Sequence, residues 1–266
     1  MENEKILKVT KLKVIYNDVN TAIEGVSFSV AKTSIFAIIG ANGAGKTTTL
    51  RAISGFLGSD NAEIREGDII FKGLNISGYY PHVINRMGIV IVPEREKVLE
   101  TLTVEENMWA SQASEKNRKE MLDRVYKYFP RLQERRRELA GYLSGGERQM
   151  LGIACALLCM PELILLDEVS LGLAPLVTSS ILKAIVQMKE DLHLTLLLVE
   201  QNAAVALDIA DHAAVLENGR VVLDGSPEKL LGHADVREFY LGMSESGEQK
   251  SYRDVKQYKR TRRWWG

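Results

Sequence analysis

The chain has 266 residues, 45% of them hydrophobic and 26% charged, with a formal net charge of -1 at pH 7. That length leaves room for one large domain or two small ones around a buried core, and the near-neutral balance gives no case for a nucleic-acid partner. No apolar run approaches a membrane span, and the polar start Met1-Glu2-Asn3-Glu4-Lys5 lacks the apolar core of a secretory signal, so the expectation is a cytoplasmic protein that meets a membrane only through partners.

Taken in order, Ile6 to Val14 alternates apolar and polar residues and predicts an edge or half-exposed strand. Tyr16 ends it. An aromatic there can stack on a nucleobase or simply pack, and the pattern fits both. Val26 to Val30 alternates in the same way, which predicts a small antiparallel layer. Ser34 to Ile39 is an apolar run that reads as a buried strand. It leads into Gly40-Ala41-Asn42-Gly43-Ala44-Gly45-Lys46-Thr47-Thr48, and a helical pattern opens at Thr49. Strand, G-x-x-x-x-G-K-[ST] and helix start are together the context a phosphate loop requires. Gly40, Gly43 and Gly45 permit backbone angles that turn N–H groups toward an anion. The helix start adds its positive dipole end. Lys46 offers a point charge to β- and γ-phosphates, and Thr47 a hydroxyl to Mg²⁺.

Gly58 to Asn61 reads as a loop, Gly67 to Gly73 as a short strand between glycines, and Gly88 to Val92 as a compact strand stopped by Pro93. Composition then shifts. Residues from about 94 to 160 are expected to form a helical insertion, with a capping box at Thr103 to Glu106. The charge run Arg131 to Glu138 reads as a solvated helix face. Leu143-Ser144-Gly145-Gly146-Glu147-Arg148-Gln149 opens an apolar helix. Alone it is either a good N-cap followed by a glycine pair or a second anion-binding helix start. Cys155 and Cys159, four apart on that helix, read as core packing.

Leu163 to Leu166 is apolar throughout, as expected of a central parallel strand, and ends in Asp167-Glu168. Beside a phosphate loop, Asp167 is placed to hold Mg²⁺ through water and Glu168 to orient or deprotonate the attacking water. Ser179 to Leu192 predicts a helix, Leu194 to Val199 a buried strand, and Ala203 to Ala210 a helix. Ala213 to Leu223 predicts a hairpin turning at Asn218-Gly219, and Asp235 to Leu241 a closing helix. Ser244 to Gly266 is basic and ends Trp264-Trp265-Gly266. It reads either as a disordered solubilising tail or as an arm for anionic lipid or a membrane subunit. The division expected is a globular domain over 1–243 and a basic tail over 244–266.

Gly40–Thr48, Leu143–Gln149 and Leu163–Glu168, in this order, resemble the Walker A, signature and Walker B motifs of ATP-binding-cassette ATPases. The resemblance covers about residues 6 to 242. It implies an α/β fold with a P-loop NTPase core, an antiparallel β layer and an inserted helical subdomain. It implies ATP and Mg²⁺ as cofactors, and two cassettes paired head to tail, as a homodimer or a heterodimer. Ser144, Gly145, Gly146 and Glu147 would then serve the nucleotide on the other subunit. Tyr16 falls where the family stacks an aromatic on adenine, and Ser170-Leu171-Gly172-Leu173 at the dimer-contacting D-loop.

Val92-Pro93-Glu94, Leu102 to Asn107, Phe129 to Leu132, Ser170 to Pro175, Val199-Glu200-Gln201-Asn202 and Leu216 to Gly219 further resemble the second ATP-binding subunit of high-affinity branched-chain amino-acid importers. In that subfamily Glu94 takes the Q-loop place beside the metal ligands Thr47 and Asp167, and Gln201 replaces the switch histidine. A Gln amide donates a hydrogen bond but takes no proton, which leaves Glu168 as the sole base. The implied assembly has two integral-membrane permease subunits, an external solute-binding protein and a second ATPase, with this chain peripheral on the inner face of the plasma membrane. Urea or amide importers are the neighbouring alternative. A soluble non-transport cassette and a non-hydrolysing nucleotide-gated module are the more distant ones. Val169, Cys155, Lys32-Thr33-Ser34 and Arg95-Glu96-Lys97 depart from the family pattern.

Overall fold

The computed structural model describes residues 4–95, 97–111, 118–233 and 236. Two long strands, β1 (Lys5–Tyr16) and β2 (Asn20–Ala31), pair antiparallel. Then come β3 (Ile35–Ile39), α1 (Lys46–Ser54), β4 (Ala62–Phe71), β5 (Leu74–Asn75), α2 (Pro81–Arg86) and β6 (Ile89–Val92). Four helices follow where the composition shifts: α3 (Val104–Ala110), α4 (Arg118–Tyr128), α5 (Pro130–Glu134) and α6 (Gly145–Leu158). The chain continues through β7 (Leu163–Asp167), α7 (Pro175–Leu192), β8 (Thr195–Glu200), α8 (Ala203–Ile209), β9 (His212–Glu217), β10 (Arg220–Gly225) and α9 (Pro227–Leu231).

The strands form two sheets. One is antiparallel in the order β2-β1-β4-β5. The other runs β10-β9-β3-β8-β7-β6 and is parallel apart from the β9–β10 hairpin. β3, β7 and β8 are buried along their whole length, because each covers one layer with every second residue. Phe36, Ile38, Leu163, Leu165, Leu197 and Val199 face the layer shared with the antiparallel sheet and with Leu50 and Ile53 of α1. Ile35, Ala37, Ile39, Ile164, Leu166, Leu196 and Leu198 face the layer shared with α6 and α7. Burial on both faces is why these strands read as unbroken apolar runs rather than alternating ones.

Two expectations change. β1 is half-exposed, as one of the two readings has it, but it is paired with β2 on one side and β4 on the other and so is a central strand, not an edge strand. Alternation reports only that the two faces differ, not whether both edges are paired. Gly67 lies inside β4 rather than at its start. Its φ is +88°, and a Cβ there would come within 2.4 Å of the Thr10 carbonyl oxygen, where the β1–β4 register shifts. The glycine marks a bulge between two paired strands.

α7 starts at Pro175, ahead of the expected Ser179, with the proline in its first turn, where it lacks only an N–H that the helix leaves unpaired anyway. The Thr103–Glu106 capping box forms, and Cys155 packs in the core with Cys159 beside it. Among the described residues no helix is long and apolar enough to cross a membrane. The closing helix expected at Asp235 to Leu241, apart from Val236, and the basic tail from Ser244 lie outside the described residues.

Candidate active site

The parallel strands β3, β8, β7 and β6 end side by side, with Ile39 paired to Glu200, Asp167 to Val199 and Val92 to Leu166. Ligands of open α/β sheets sit beyond such carboxyl ends. The chain leaves β3 through Gly40, whose missing Cβ lets the backbone pass the Leu216 carbonyl oxygen, only 2.3 Å from where a Cβ would lie. The turn closes with Ala44 N–H donating to the Ala41 carbonyl at 3.1 Å. Gly45, at φ 103°, is the N-cap of α1, and no side chain caps that helix. Its first N–H groups therefore have no side-chain acceptor of their own, the condition for an anion site at a helix start.

Lys46 is buried. Its ammonium donates to the Ala41 carbonyl at 3.2 Å and pairs with Glu168 Oε1 at 3.1 Å. Thr47 Oγ1 donates to Asp167 Oδ1 at 3.2 Å, and Thr48 Oγ1 lies 3.2 Å from Tyr16 Oη at the end of β1. Asn42 and Gly43 are exposed at the tip, and Ala44 is buried beneath it. The structure thus brings Tyr16, the loop Gly40–Thr48, Asp167 and Glu168 together from four elements.

Burial pushes the Asp167 carboxyl up to about 6. The Thr47 hydrogen bond and the Lys46 charge oppose the shift, while the nearby charges of Glu168 and Glu94 add to it. A Mg²⁺ ion suits this donor set. A hydroxyl and a carboxylate are hard oxygen ligands, and the clustered acids have a charge deficit that a cation relieves. Glu94 follows β6 and pairs with Arg95 at 3.1 Å, so its carboxylate reaches Asp167 through charge rather than contact. Lys97, whose position departs from the family run, donates to Gln149 of α6. Burial lowers its pKa, while Glu94 and Asp167 favour its charged form.

Glu168 follows the last residue of β7 with φ +48°, a left-handed conformation that costs a non-glycine residue roughly 1–3 kcal/mol. Its N–H donates to the Val199 carbonyl at 2.9 Å. Gln201 is exposed and follows β8 directly after Glu200.

Ser144 and Glu147 are bound to each other. Ser144 Oγ accepts from the Glu147 N–H at 3.3 Å, and Glu147 Oε2 accepts from the Ser144 N–H at 2.9 Å and from its hydroxyl at 2.8 Å. Arg135 adds an ion pair to the same oxygen at 2.7 Å. Burial alone would raise the Glu147 pKa, but the hydrogen bonds from Ser144 and the Arg135 charge outweigh it and hold it below the usual carboxylate value. The charge run at Arg131 to Glu138 is therefore not only a solvated face, since Arg135 fastens it to the signature turn. Gly146 is buried, and a Cβ there would lie 2.4 Å from Val177 Cγ1 of α7. Gly145 has only ordinary contacts.

Two functional supports escaped the sequence reading. Gly219, at the turn of the β9–β10 hairpin, donates its N–H to the Ala44 carbonyl at 2.9 Å, while its own carbonyl accepts from the Glu24 N–H at 2.8 Å. A Cβ on Gly219 would meet the Ala22 oxygen at 2.6 Å, so the hairpin props the phosphate loop against β2. Glu200, only 1% exposed, accepts from the Ser170 N–H at 2.9 Å through Oε1 and from its hydroxyl at 2.7 Å through Oε2. Like Asp167, it is a carboxylate ending an apolar strand, and that signal was available.

The family model described as "ABC transporter" matches residues 23–170. The chain belongs to the ABC transporter family. The branched-chain amino acid transport ATP-binding protein BraG of Pseudomonas aeruginosa is 41% identical over 239 residues, covering 89% of this chain and 100% of that protein. The probable branched-chain amino acid transport ATP-binding protein LivF of Archaeoglobus fulgidus is 35% identical, covering 90% of this chain and 99% of that one. The crystal structure of the ADP conformation of an ATP-binding cassette of an ABC transporter is 28% identical with a TM-score of 0.75, over 91% of this chain and 100% of that one. This chain is an ATP-hydrolysing cassette of that family, with the expected mixed α/β fold and antiparallel layer.

Proposed function

We propose that this cassette energises uptake of branched-chain or closely related amino acids. It would work at the inner face of the plasma membrane, paired head to tail with a second ATPase subunit and docked on two integral-membrane permease subunits. An external solute-binding protein would deliver the solute to them. The observation that carries the substrate class is full-length similarity to two relatives named for branched-chain amino acid transport.

In the catalytic reading, the uncapped start of α1 and the N–H groups of Gly43 to Thr48 bind the phosphates of ATP, with Tyr16 against the adenine. Lys46, held by Glu168 at 3.1 Å, would turn its ammonium from that carboxylate to the β- and γ-phosphates when they arrive. That exchange releases Glu168 to take a proton from the attacking water. Thr47 and Asp167 would hold Mg²⁺, with Glu94 at its outer side; bound there, the ion neutralises charge developing on the phosphate oxygens. Ser144, Gly145 and Gly146 would close over the nucleotide of the other subunit, and Gln201 would donate to the γ-phosphate held by this chain's own phosphate loop.

The test is uptake of labelled leucine, isoleucine and valine by the source cells, native against Lys46→Ala at normal expression. Loss of all three, with unrelated solutes still entering, is the expected result. Unchanged uptake of all three in cells deleted for other importers of these solutes overturns the substrate class. Loss of urea or amide uptake instead would reassign it.

A further inference from the structure

The loop after Glu168 is tightly constrained. Glu168 is left-handed, and its carbonyl accepts from the Leu171 N–H at 3.2 Å. Two residues past Glu168, Ser170 is held at both its N–H and its hydroxyl by the two oxygens of Glu200. Beyond it Leu171 stands half exposed and Gly172 turns at φ +71°. Glu200 therefore ties three things together: the end of β8, the phosphate-loop strand β3 through its pairing with Ile39, and the loop carrying Glu168.

A buried carboxylate is costly unless its oxygens are filled, and these two are filled by one residue. A left-handed Glu persists only where its surroundings over-determine it. Here the Val199 carbonyl fixes one side of Glu168 and the Ser170–Glu200 fork fixes the other.

We propose that Glu200 is a positioning residue for hydrolysis. Its bidentate grip on Ser170 holds the Glu168 backbone in its strained conformation and sets the aim of the Glu168 carboxylate. This rests on the reading of Glu168 as the base. Ser170 and Glu200 act as one unit, and neither touches the phosphates.

The test is steady-state ATP hydrolysis by the full chain. Glu200→Met is nearly the same size and lacks both acceptor oxygens, so both arms of the fork fail. A Gln there would keep both, its carbonyl accepting from the Ser170 N–H and its NH₂ donating to the Ser170 hydroxyl oxygen. The expected result for Glu200→Met is a fall in kcat of about tenfold or more with KM for ATP within about twofold of the native value. Ser170→Ala should fall similarly, Ser170→Thr should keep most of the native kcat, and the double variant Glu200→Met/Ser170→Ala should be no slower than the worse single one. A merely structural role would lower thermal stability and leave kcat unchanged in the folded fraction. Native kcat in folded Glu200→Met overturns the inference, as do losses that multiply in the double variant or a rise in KM without a fall in kcat. Glu168→Gln is the control. If it retains hydrolysis, the base assignment fails. If it loses hydrolysis while Glu200→Met keeps it, only the present inference fails.

Discussion

At the start of α1 the cap is Gly45, left-handed, with no side chain bonded to the first N–H groups. At the start of α6 the cap is Ser144, extended, and a complete capping box with Glu147 fills the third N–H of the helix and the N–H of the cap itself. Both turns are glycine-rich and both open helices that pack in the core. The first leaves its donors to a ligand and surrounds them with acids from neighbouring strand ends. The second supplies its own acceptor and adds Arg135 to hold it. A helix start offers an anion site in proportion to what its own residues leave unsatisfied. On that measure α1 can receive a phosphate within one chain, whereas Ser144 must first loosen its bonds to Glu147 to engage a nucleotide.

The largest effect that tests this contrast is at Lys46. Lys46→Ala removes the one buried ammonium at the first helix start and leaves Glu168 without its ion-pair partner. Phosphate release from MgATP should fall by about 10²- to 10³-fold. A variant that binds ATP, stays folded and still hydrolyses at the native rate would remove Lys46 from the proposed chemistry.

The two starts should also respond oppositely to pH. Burial lifts Asp167 to about 6 and Glu200 to about 7, so the folded chain holds these protons more tightly than the unfolded one. Their stabilising contribution is full below about pH 4 and is lost as pH rises through 6 and 7. Glu147 is shifted down, so its contribution is present above the ordinary carboxylate pKa and is lost as pH falls through its lower folded value. Thermal midpoints should therefore drop between about pH 4 and 7 in the native chain. In Glu200→Gln the drop should be smaller, since about 3 kcal/mol of pH-dependent loss is removed with the carboxyl. An identical slope in the two proteins would mean that Glu200 does not titrate in this range.

Gly146 sharpens the second half of the comparison. Alanine there meets Val177 Cγ1 at 2.4 Å, whereas alanine at Gly145 finds Leu173 Cδ2 at an ordinary 3.6 Å. Gly146→Ala should cost about 1–3 kcal/mol in denaturant unfolding, reduced somewhat by alanine's better helix propensity. Gly145→Ala should be close to neutral. Equal effects would mean that α6 and α7 adjust their spacing freely.

The sequence carries the first helix start almost completely, because glycines, lysine and threonine at fixed spacing leave little choice of geometry. Asp167 and Glu168 were legible for a similar reason: carboxylates seldom end a wholly apolar strand without a task. What stayed hidden depends on partners far away in sequence. β1 is central because β4 returns to its free edge, and alternation cannot show that. Gly67 reads as a boundary until Thr10 is found against it. The packing role of Gly146 shows only once α7 lies beside it, and the support that Gly219 gives the phosphate loop only once its N–H meets Ala44. Glu200 gave the same signal as Asp167, but its partner Ser170 is 30 residues away and carries no charge to suggest the pairing.

The smallest effect on stability separates the two uses of the signature turn. Ser144→Ala removes the cap oxygen that accepts from the Glu147 N–H, which should cost about 1 kcal/mol, or roughly 2–4 °C in thermal midpoint for a chain near this size. Glu147→Gln damages the same capping box, and the ion pair with Arg135 as well, but leaves the Ser144 hydroxyl in place. If the turn only caps α6, hydrolysis in the two variants should follow their stability and remain comparable once both are fully folded. If Ser144 closes over the nucleotide of a partner cassette, Ser144→Ala should lose hydrolysis well beyond Glu147→Gln, and only at protein concentrations where the native chain pairs. A steeper concentration dependence of the native rate than of the Ser144→Ala rate is the expected sign. Matching rates at every concentration would reduce the signature serine to a helix cap.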